Sequence, residues 1–285
     1  MIRMQEEPMV GLHVSVAGSL DLAFDRAQEL GATTFQMFTR NPNQWKFKPI
    51  PEDVVAAFKE KRAKTRFRRI VDHMPYLPNL ASPEKSTMKI SRYTLDEEVK
   101  RCDALGVDYL VVHLGSHLGK GSAVGVANVA GACNEAISGS DGQTTVLLEN
   151  MAGQKNSVGA RFEEIRAILD EVKGERVGVC FDSCHAFACG FDLRNEEAVN
   201  QTMGLFADVI GLDRLKVIHL NDSKGALGSR LDRHENLGKG KIGRKGIREF
   251  LHYPGISERP LIMETPYKDL ETMQRSVRLV RTLIR

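Results

Sequence analysis

The chain has 285 residues, 42% hydrophobic and 27% charged, with a net charge of +3. That is enough apolar material for one large core, and the charge is too evenly balanced to identify a partner. No apolar stretch approaches the ~18 residues of a membrane span, so no membrane partner is expected. The five cysteines, at 102, 133, 180, 184 and 189, are scattered and form no C-x-x-C pair. That pattern suits free thiols in a reducing compartment, not a disulfide framework. The opening MIRMQEEPMV lacks the apolar block of a secretory leader, which adds to the expectation of a cytoplasmic protein.

Taken in chain order, short apolar runs alternate with amphipathic stretches. The runs are MVGLHVS (9–15), TTFQMF (33–38), RRIVDH (68–73), VDYLVVHL (107–114), TTVLLE (144–149), RVGVCFD (176–182), LKVIHL (215–220) and RPLIMET (259–265). They are rich in Val, Ile, Leu and Phe without strict alternation, as strands covered on both faces are. Between the first two, Leu20, Ala23, Phe24, Ala27 and Leu30 recur at helical spacing, with Ser19 a candidate N-cap and Gly31 a candidate stop. Near the end, Leu270, Met273, Val277, Val280 and Ile284 mark another helical face. Eight strand–helix repeats in about 250 residues or slightly more predict a (β/α)8 TIM barrel. An open doubly wound sheet is the structural alternative. No linker or shift in composition interrupts the pattern, so a single domain over 1–285 is expected.

The runs finish in a distinctive way. His13, His73, His113, Glu149, Asp182, His219 and Glu264 stand at or near their carboxyl ends, and only the run ending at Phe38 lacks such a group. In a barrel these ends converge on the face that carries active sites. One such group alone would usually be a satisfied core residue or a helix cap. Seven together predict a site for divalent cations, whose charge offsets carboxylate repulsion. Imidazole mixed with carboxylate suits Zn or Mn better than Ca or Mg. Asp182-x-x-His185 adds an imidazole from the following loop, and Asp232-x-His234 presents two donors from one extended segment. Cys180, Cys184 and Cys189 are then expected to be packing residues.

GLHVSVAGSL (11–20), HLGSHL (113–118), LLENMAGQ (147–154), VGVCFDSCHAF (177–187), HLNDSK (219–224), GSRLDRHENLG (228–238) and LIMET (261–265) together resemble the endonuclease IV family of apurinic/apyrimidinic endonucleases. The resemblance implies a TIM barrel with three zinc ions, Mn2+ being able to serve in part. His73, His113 and Glu149 would hold one ion. Glu149 would bridge to a second, held also by Asp182, His219 and Glu264. His185, Asp232 and His234 would hold the third. It further implies hydrolysis of the phosphodiester 5′ to an abasic site by in-line attack of an activated water. The products would be a 3′-hydroxyl and a 5′-deoxyribose phosphate, and blocked 3′ ends would also be substrates. Glu149 is the residue whose loss should cost most, because it supports two ions. His13 and His117 match family positions without being ligands there.

Double-stranded DNA with abasic sites or 3′-blocked ends is the expected partner, and a monomer the expected state. Between Lys224 and Arg248 stand eight Lys or Arg residues, at 224, 230, 233, 239, 241, 244, 245 and 248, against only Asp232 and Glu235. Six glycines share the segment, so exposed amides and basic side chains can meet phosphates there. Lys224, Arg230, Arg233 and Lys239 are the candidate contacts. TRNPNQW (39–45) adds Arg40 and the only tryptophan, Trp45. Tyr76, in MPYLPNL (74–80), occupies by resemblance a wedge position from which a flat side chain fills the gap in the base stack. Asn43 and Lys239 depart from the family pattern, where arginine and an acidic residue are common. A metal-dependent sugar isomerase or epimerase would use a similar barrel, and a non-catalytic binder of damaged DNA is a third reading. Both leave part of the nine-donor set unexplained.

Overall fold

All eight apolar runs form strands in the computed structural model, which describes residues 7–46, 48–267 and 269–285. They are β1 (Val10–Leu12), β2 (Phe35–Met37), β3 (Ile70–His73), β4 (Tyr109–Val112), β5 (Thr145–Glu149), β6 (Val177–Asp182), β7 (Leu215–His219) and β10 (Leu261–Met263). Two short strands, β8 (Asp222–Ser223) and β9 (His234–Glu235), form a separate antiparallel ribbon after β7. The eight-stranded sheet runs in the order β1-β10-β7-β6-β5-β4-β3-β2, every pair parallel. A parallel bridge between His13 and Gln36 closes its two edges, helped by the Val14 amide donating to the Gln36 carbonyl at 2.8 Å. This is a nearly closed TIM barrel, as the repeat pattern predicts.

Helices cover the outside of the barrel: α1 (Leu22–Glu29), α2 (Glu52–Lys64), α3 (Lys85–Leu105), α4 (Ser122–Ser138), α5 (Phe162–Glu171), α7 (Glu196–Val209), α8 (Gly243–His252) and α9 (Leu270–Ile284). A short extra helix, α6 (Ser183–Cys189), starts directly at the end of β6. Of the helical face read near the carboxyl end, α9 buries Val277 and Val280 and half-buries Met273 and Ile284, while Leu270 in its first turn is exposed and Leu283 is buried instead. Ser19, in contrast, does not cap α1. Its hydroxyl donates to the Asp21 carboxylate, and Leu20 and Asp21 extend the helix by a tight turn. Gly31 does end it, at φ 70°. None of the described helices is long and apolar enough to cross a membrane. Residues 1–6, part of the leader argument, lie outside the described residues.

The barrel has two apolar cores. The larger fills the space between sheet and helices, and the smaller is a plug inside the barrel made of Val71, Val111, Leu147, Cys180, Val217 and Ile262. The plug determines where the polar groups go. Side chains on a strand alternate faces, so the residue two places on points into the barrel one layer higher. Two places beyond the six plug residues stand His73, His113, Glu149, Asp182, His219 and Glu264. One irregularity is needed to bring Asp182 and His219 level. The β6–β7 register shifts between Val179 and Cys180, skipping Lys216, after which Asp182 faces His219. A bulge re-aims side chains in this way at many sites.

Truncating the plug should therefore be costly. Leu147→Ala is expected to lower stability by about 2–5 kcal/mol, read by urea denaturation followed by circular dichroism. A loss well under this range would show that the barrel interior is loosely packed.

Candidate metal centre and active site

The polar layer above the plug opens into a cavity of about 470 Å³ on the carboxyl face. Buried His73 and His185 line it together with half-buried His113, Asp232, His234 and Glu264, whereas Glu149, Asp182 and His219 are fully buried behind these lining residues. All nine side chains expected at the site are brought together. Their donor atoms fall into three groups, the first two sharing Glu149: His73, His113 and Glu149; Glu149, Asp182, His219 and Glu264; and His185, Asp232 and His234. Within each group the donors lie no more than 4.8 Å apart.

Glu149 joins the groups. Its Oε2 lies 3.1 Å from His113 Nε2 and 3.4 Å from His73 Nε2. Its Oε1 lies 2.9 Å from His219 Nδ1 and 3.3 Å from His185 Nδ1. Glu264 Oε2 approaches His219 Nδ1 at 3.2 Å. On the outer side, Asp232 Oδ1 lies 3.1 Å from His185 Nε2 and 3.5 Å from His234 Nε2.

Local structure explains the loop donors. Asp182 is the N-cap of α6: its Oδ1 accepts the His185 amide at 2.7 Å, which leaves Oδ2 to face the cluster. The Asp-x-x-His spacing is therefore one capped helical turn. His234 opens β9, paired with Ser223 of β8, and Asp232 stands two residues before it.

The imidazoles are fixed from behind. His73 Nδ1 is 2.7 Å from the Met74 carbonyl, His185 Nδ1 is 3.0 Å from the Asn150 carbonyl, and His234 Nδ1 is 3.3 Å from that of Glu264. His219 is reversed, with Nε2 held by the Gln36 side-chain oxygen at 2.8 Å. Carbonyl oxygens only accept, so each of these nitrogens carries a proton. In a neutral ring the other nitrogen then presents a lone pair. Those lone pairs face carboxylate oxygens, and acceptor against acceptor is repulsive without a cation between them. His185 Nε2 and His234 Nε2 are buried with no hydrogen-bond partner, the 3.1 Å approach of Asp232 to His185 being out of hydrogen-bond alignment. This donor set fits divalent metal with imidazole and carboxylate preference.

Electrostatics point the same way. Burial would raise Glu149, but the imidazoles of His219 and His113 hold it well below the usual carboxylate range. Glu264 falls to about 2, burial being outweighed chiefly by His219. Burial would depress His185, but the charge of Asp182 and the close carboxylate contacts of Asp232 and Glu149 carry it well above its usual range. An assembly that attracts protons this strongly attracts metal cations for the same reason, and the two compete for its lone pairs.

Three positioning residues were missed by sequence reasoning. Gln36, on the one strand without an ionisable end, donates to Glu264 Oε1 at 2.7 Å while holding His219. It also approaches His13 Nδ1 at 3.1 Å; burial lowers His13 to about 4, so that ring is a neutral supporting group. Asn150 Oδ1 accepts the Asp182 amide at 2.7 Å. Asn221 donates to Asp182 Oδ2 at 2.7 Å, and its Oδ1 accepts the Glu264 amide at 2.8 Å. The only sequence signal was position: Asn150 and Asn221 follow the strand-end donors Glu149 and His219 in LLENMAGQ and HLNDSK. His117 is structural, accepting the Gly121 amide at 3.0 Å.

The remaining candidates divide. Tyr76 is exposed at the mouth, its ring 5.4 Å from that of His73, and Lys224 and Arg233 also line the cavity. Arg230 and Lys239 are exposed on the same segment. Trp45 is half-buried. Arg40, expected at the DNA, is turned inward: it pairs with buried Glu98 of α3 and donates to the carbonyls of Gln44 and Trp45 at 3.0 and 3.3 Å. Its guanidinium shapes the 40–45 loop from within, because α3 places a carboxylate there that a sequence pattern does not reveal. All five cysteines are free. Cys180 belongs to the plug, and burial pushes the Cys184 thiol up to about 12, although its sulfur lies in a group with Asp182 and His234.

Barrel and donor cluster together define a class. Residues 24–283 match the xylose isomerase-like TIM barrel family. A protein described as probable endonuclease 4, from Methanoculleus marisnigri, is 46% identical over 96% of this chain and 98% of its own length. The crystal structure of endonuclease IV from Thermus thermophilus superposes with a TM-score of 0.87 at 33% identity, covering 97% of this chain and 99% of that one. A D-tagatose 3-epimerase-like protein shares the fold at a TM-score of 0.74 but only 17% identity, over 96% of this chain and 97% of its own. The chain belongs to the endonuclease IV family of apurinic/apyrimidinic endonucleases.

Removing the support behind the cluster should weaken it. Gln36→Ala is expected to lower zinc affinity about 10–100-fold, measured by competition with a chromogenic chelator. An unchanged affinity would show that His219 and Glu264 keep their orientation unaided.

Proposed function

We propose that the protein is a metal-dependent endodeoxyribonuclease that cuts double-stranded DNA 5′ to apurinic/apyrimidinic sites. It leaves a 3′-hydroxyl and a 5′-deoxyribose phosphate, and it also clears blocked 3′ ends. The observation that carries this reading is the convergence of nine donors, their imidazole lone pairs fixed inward, beneath a mouth lined by Tyr76, Lys224 and Arg233.

Three zinc ions per chain would be held by the three donor groups, with Mn2+ able to replace zinc in part. When bound, they supply Lewis-acid charge that activates water and offsets the negative charge developing on the phosphate and leaving oxygen. Glu149 presents one oxygen to each of two groups and so sets their spacing. Gln36, Asn150 and Asn221 keep the imidazoles and carboxylates from rotating. Lys224 and Arg233 hold the phosphate, Arg230 and Lys239 flank it, and Tyr76 fills the space left by the missing base. Trp45 belongs to a loop that Arg40 shapes. Cysteine is not the nucleophile, since burial keeps the nearby thiols protonated. The nine donors come from one chain, so the site needs no second copy and a single-domain monomer suffices. Free thiols suit the cytoplasm.

A sugar isomerase or epimerase would leave Asp232, His234 and the basic segment without a task. Duplex oligonucleotides with one abasic site should be nicked, while free ketoses should not turn over. Purified protein should contain about three zinc ions per chain, and one or none would overturn the reading. Glu149→Gln should bind the abasic duplex but lose more than about 100-fold in cleavage rate, by gel assay beside a mobility shift. Chelation should also lower Tm, because the buried carboxylates lose their counter-charge.

A further inference from the structure

We propose that Asp222 is a built-in anion around which the basic, glycine-rich segment folds, and that it positions the segment's cations for DNA phosphates. The inference rests on the nuclease reading. Asp222 lies in β8 and is fully buried. Its Oδ2 accepts the amides of Gly238, Gly240 and Gly243 at 2.9, 3.0 and 3.2 Å. Its Oδ1 accepts those of Ile242 at 3.0 Å and Ser223 at 2.8 Å. No Lys or Arg pairs with it among the described residues, so backbone amides alone offset its charge.

The segment is shaped to reach this carboxylate. A Cβ at Gly240 would lie 2.4 Å from Asp222 Oδ1, so only glycine allows the approach. Gly238 and Gly243 both take φ 76°, which turns their amides inward. The Lys241 amide donates to the Ser223 carbonyl at 2.7 Å, and that of Lys224 to the Arg233 carbonyl at 2.9 Å. The cradle then leads into the first turn of α8.

A loop after the seventh strand, together with a helix start, is where many barrels bind phosphate through backbone amides. Here a carboxylate of the chain itself takes that position, which has two consequences. The amides are used internally, so phosphate must be met by side chains. Those side chains are available: Lys224, Arg230, Arg233, Lys239, Lys241 and Arg244 are exposed, and none forms an ion pair among the described residues. Asp222 thus organises a cationic segment without neutralising any of its cations.

Asp222→Ala and Asp222→Asn, prepared as full-length zinc-loaded protein, test this. Zinc content and kcat should stay within about twofold of the parent, while KM for the abasic duplex rises about tenfold. The dependence of KM on salt should become shallower, as fewer phosphates are contacted. Sodium formate should restore KM in Asp222→Ala, whereas sodium chloride at equal ionic strength should not. Hydrogen exchange supplies a readout free of DNA: protection at Gly238, Gly240, Ile242 and Gly243 should fall in Asp222→Ala and return with formate. An unchanged KM in either folded variant overturns the proposal, as does kcat falling together with zinc loss, or formate acting no better than chloride. Should Asp222→Ala fail to fold, Asp222→Asn decides alone through KM. Failure of the parent protein to nick the duplex would instead overturn the nuclease reading, and the exchange data would still judge the fold of the segment.

Discussion

Acceptor facing acceptor is the constraint on which this molecule turns. Hydrogen bonds from behind leave the inward nitrogens of His73, His219 and His234 with lone pairs, in the same pocket as Glu149, Asp182, Asp232 and Glu264. Buried, partly solvent-free groups of this kind cannot rely on water to separate their charges. Protons relieve the repulsion in part, and divalent cations relieve it more fully. The supporting amides of Gln36 and Asn221, with the Asn150 main-chain carbonyl behind His185, matter because they prevent the simplest escape, rotation of the rings and carboxylates away from each other.

The apolar plug and the polar layer are two consequences of one alternation. Six strands each place a small or branched residue in the barrel interior and a donor two residues later. The plug supplies the rigidity that donors held within 4.8 Å require. The seam between β1 and β2 shares in this: the bridge from His13 to Gln36 closes the barrel, and the same glutamine holds His219. Closing the fold and aligning the site are there one act.

Around the site, charge is arranged by distance from water. Carboxylates occupy the floor and the inner wall, where cations can neutralise them. The lysines and arginines sit exposed on the segment after β7, where the polyanionic backbone of DNA would pass. Arg40 is the exception, a cation buried against Glu98 that organises a loop from inside. Like Asp222, it shows how a buried charge can shape an exposed segment by holding that segment's backbone from within.

Much was determined by the sequence itself. Apolar runs ended by His73, His113, Glu149, Asp182, His219 and Glu264 announce both the barrel and the cluster, because strand period and strand end are local properties of a chain. The capped turn of Asp182 and His185 and the extended step from Asp232 to His234 are local too, and were legible for the same reason. Tertiary structure decided the rest. The skip at Lys216 that levels Asp182 with His219, the closure through Gln36, the inward turn of Arg40 and the burial of Asp222 all depend on partners far along the chain. Spacing fixes which way a side chain leaves its own backbone, whereas packing alone determines what it meets there.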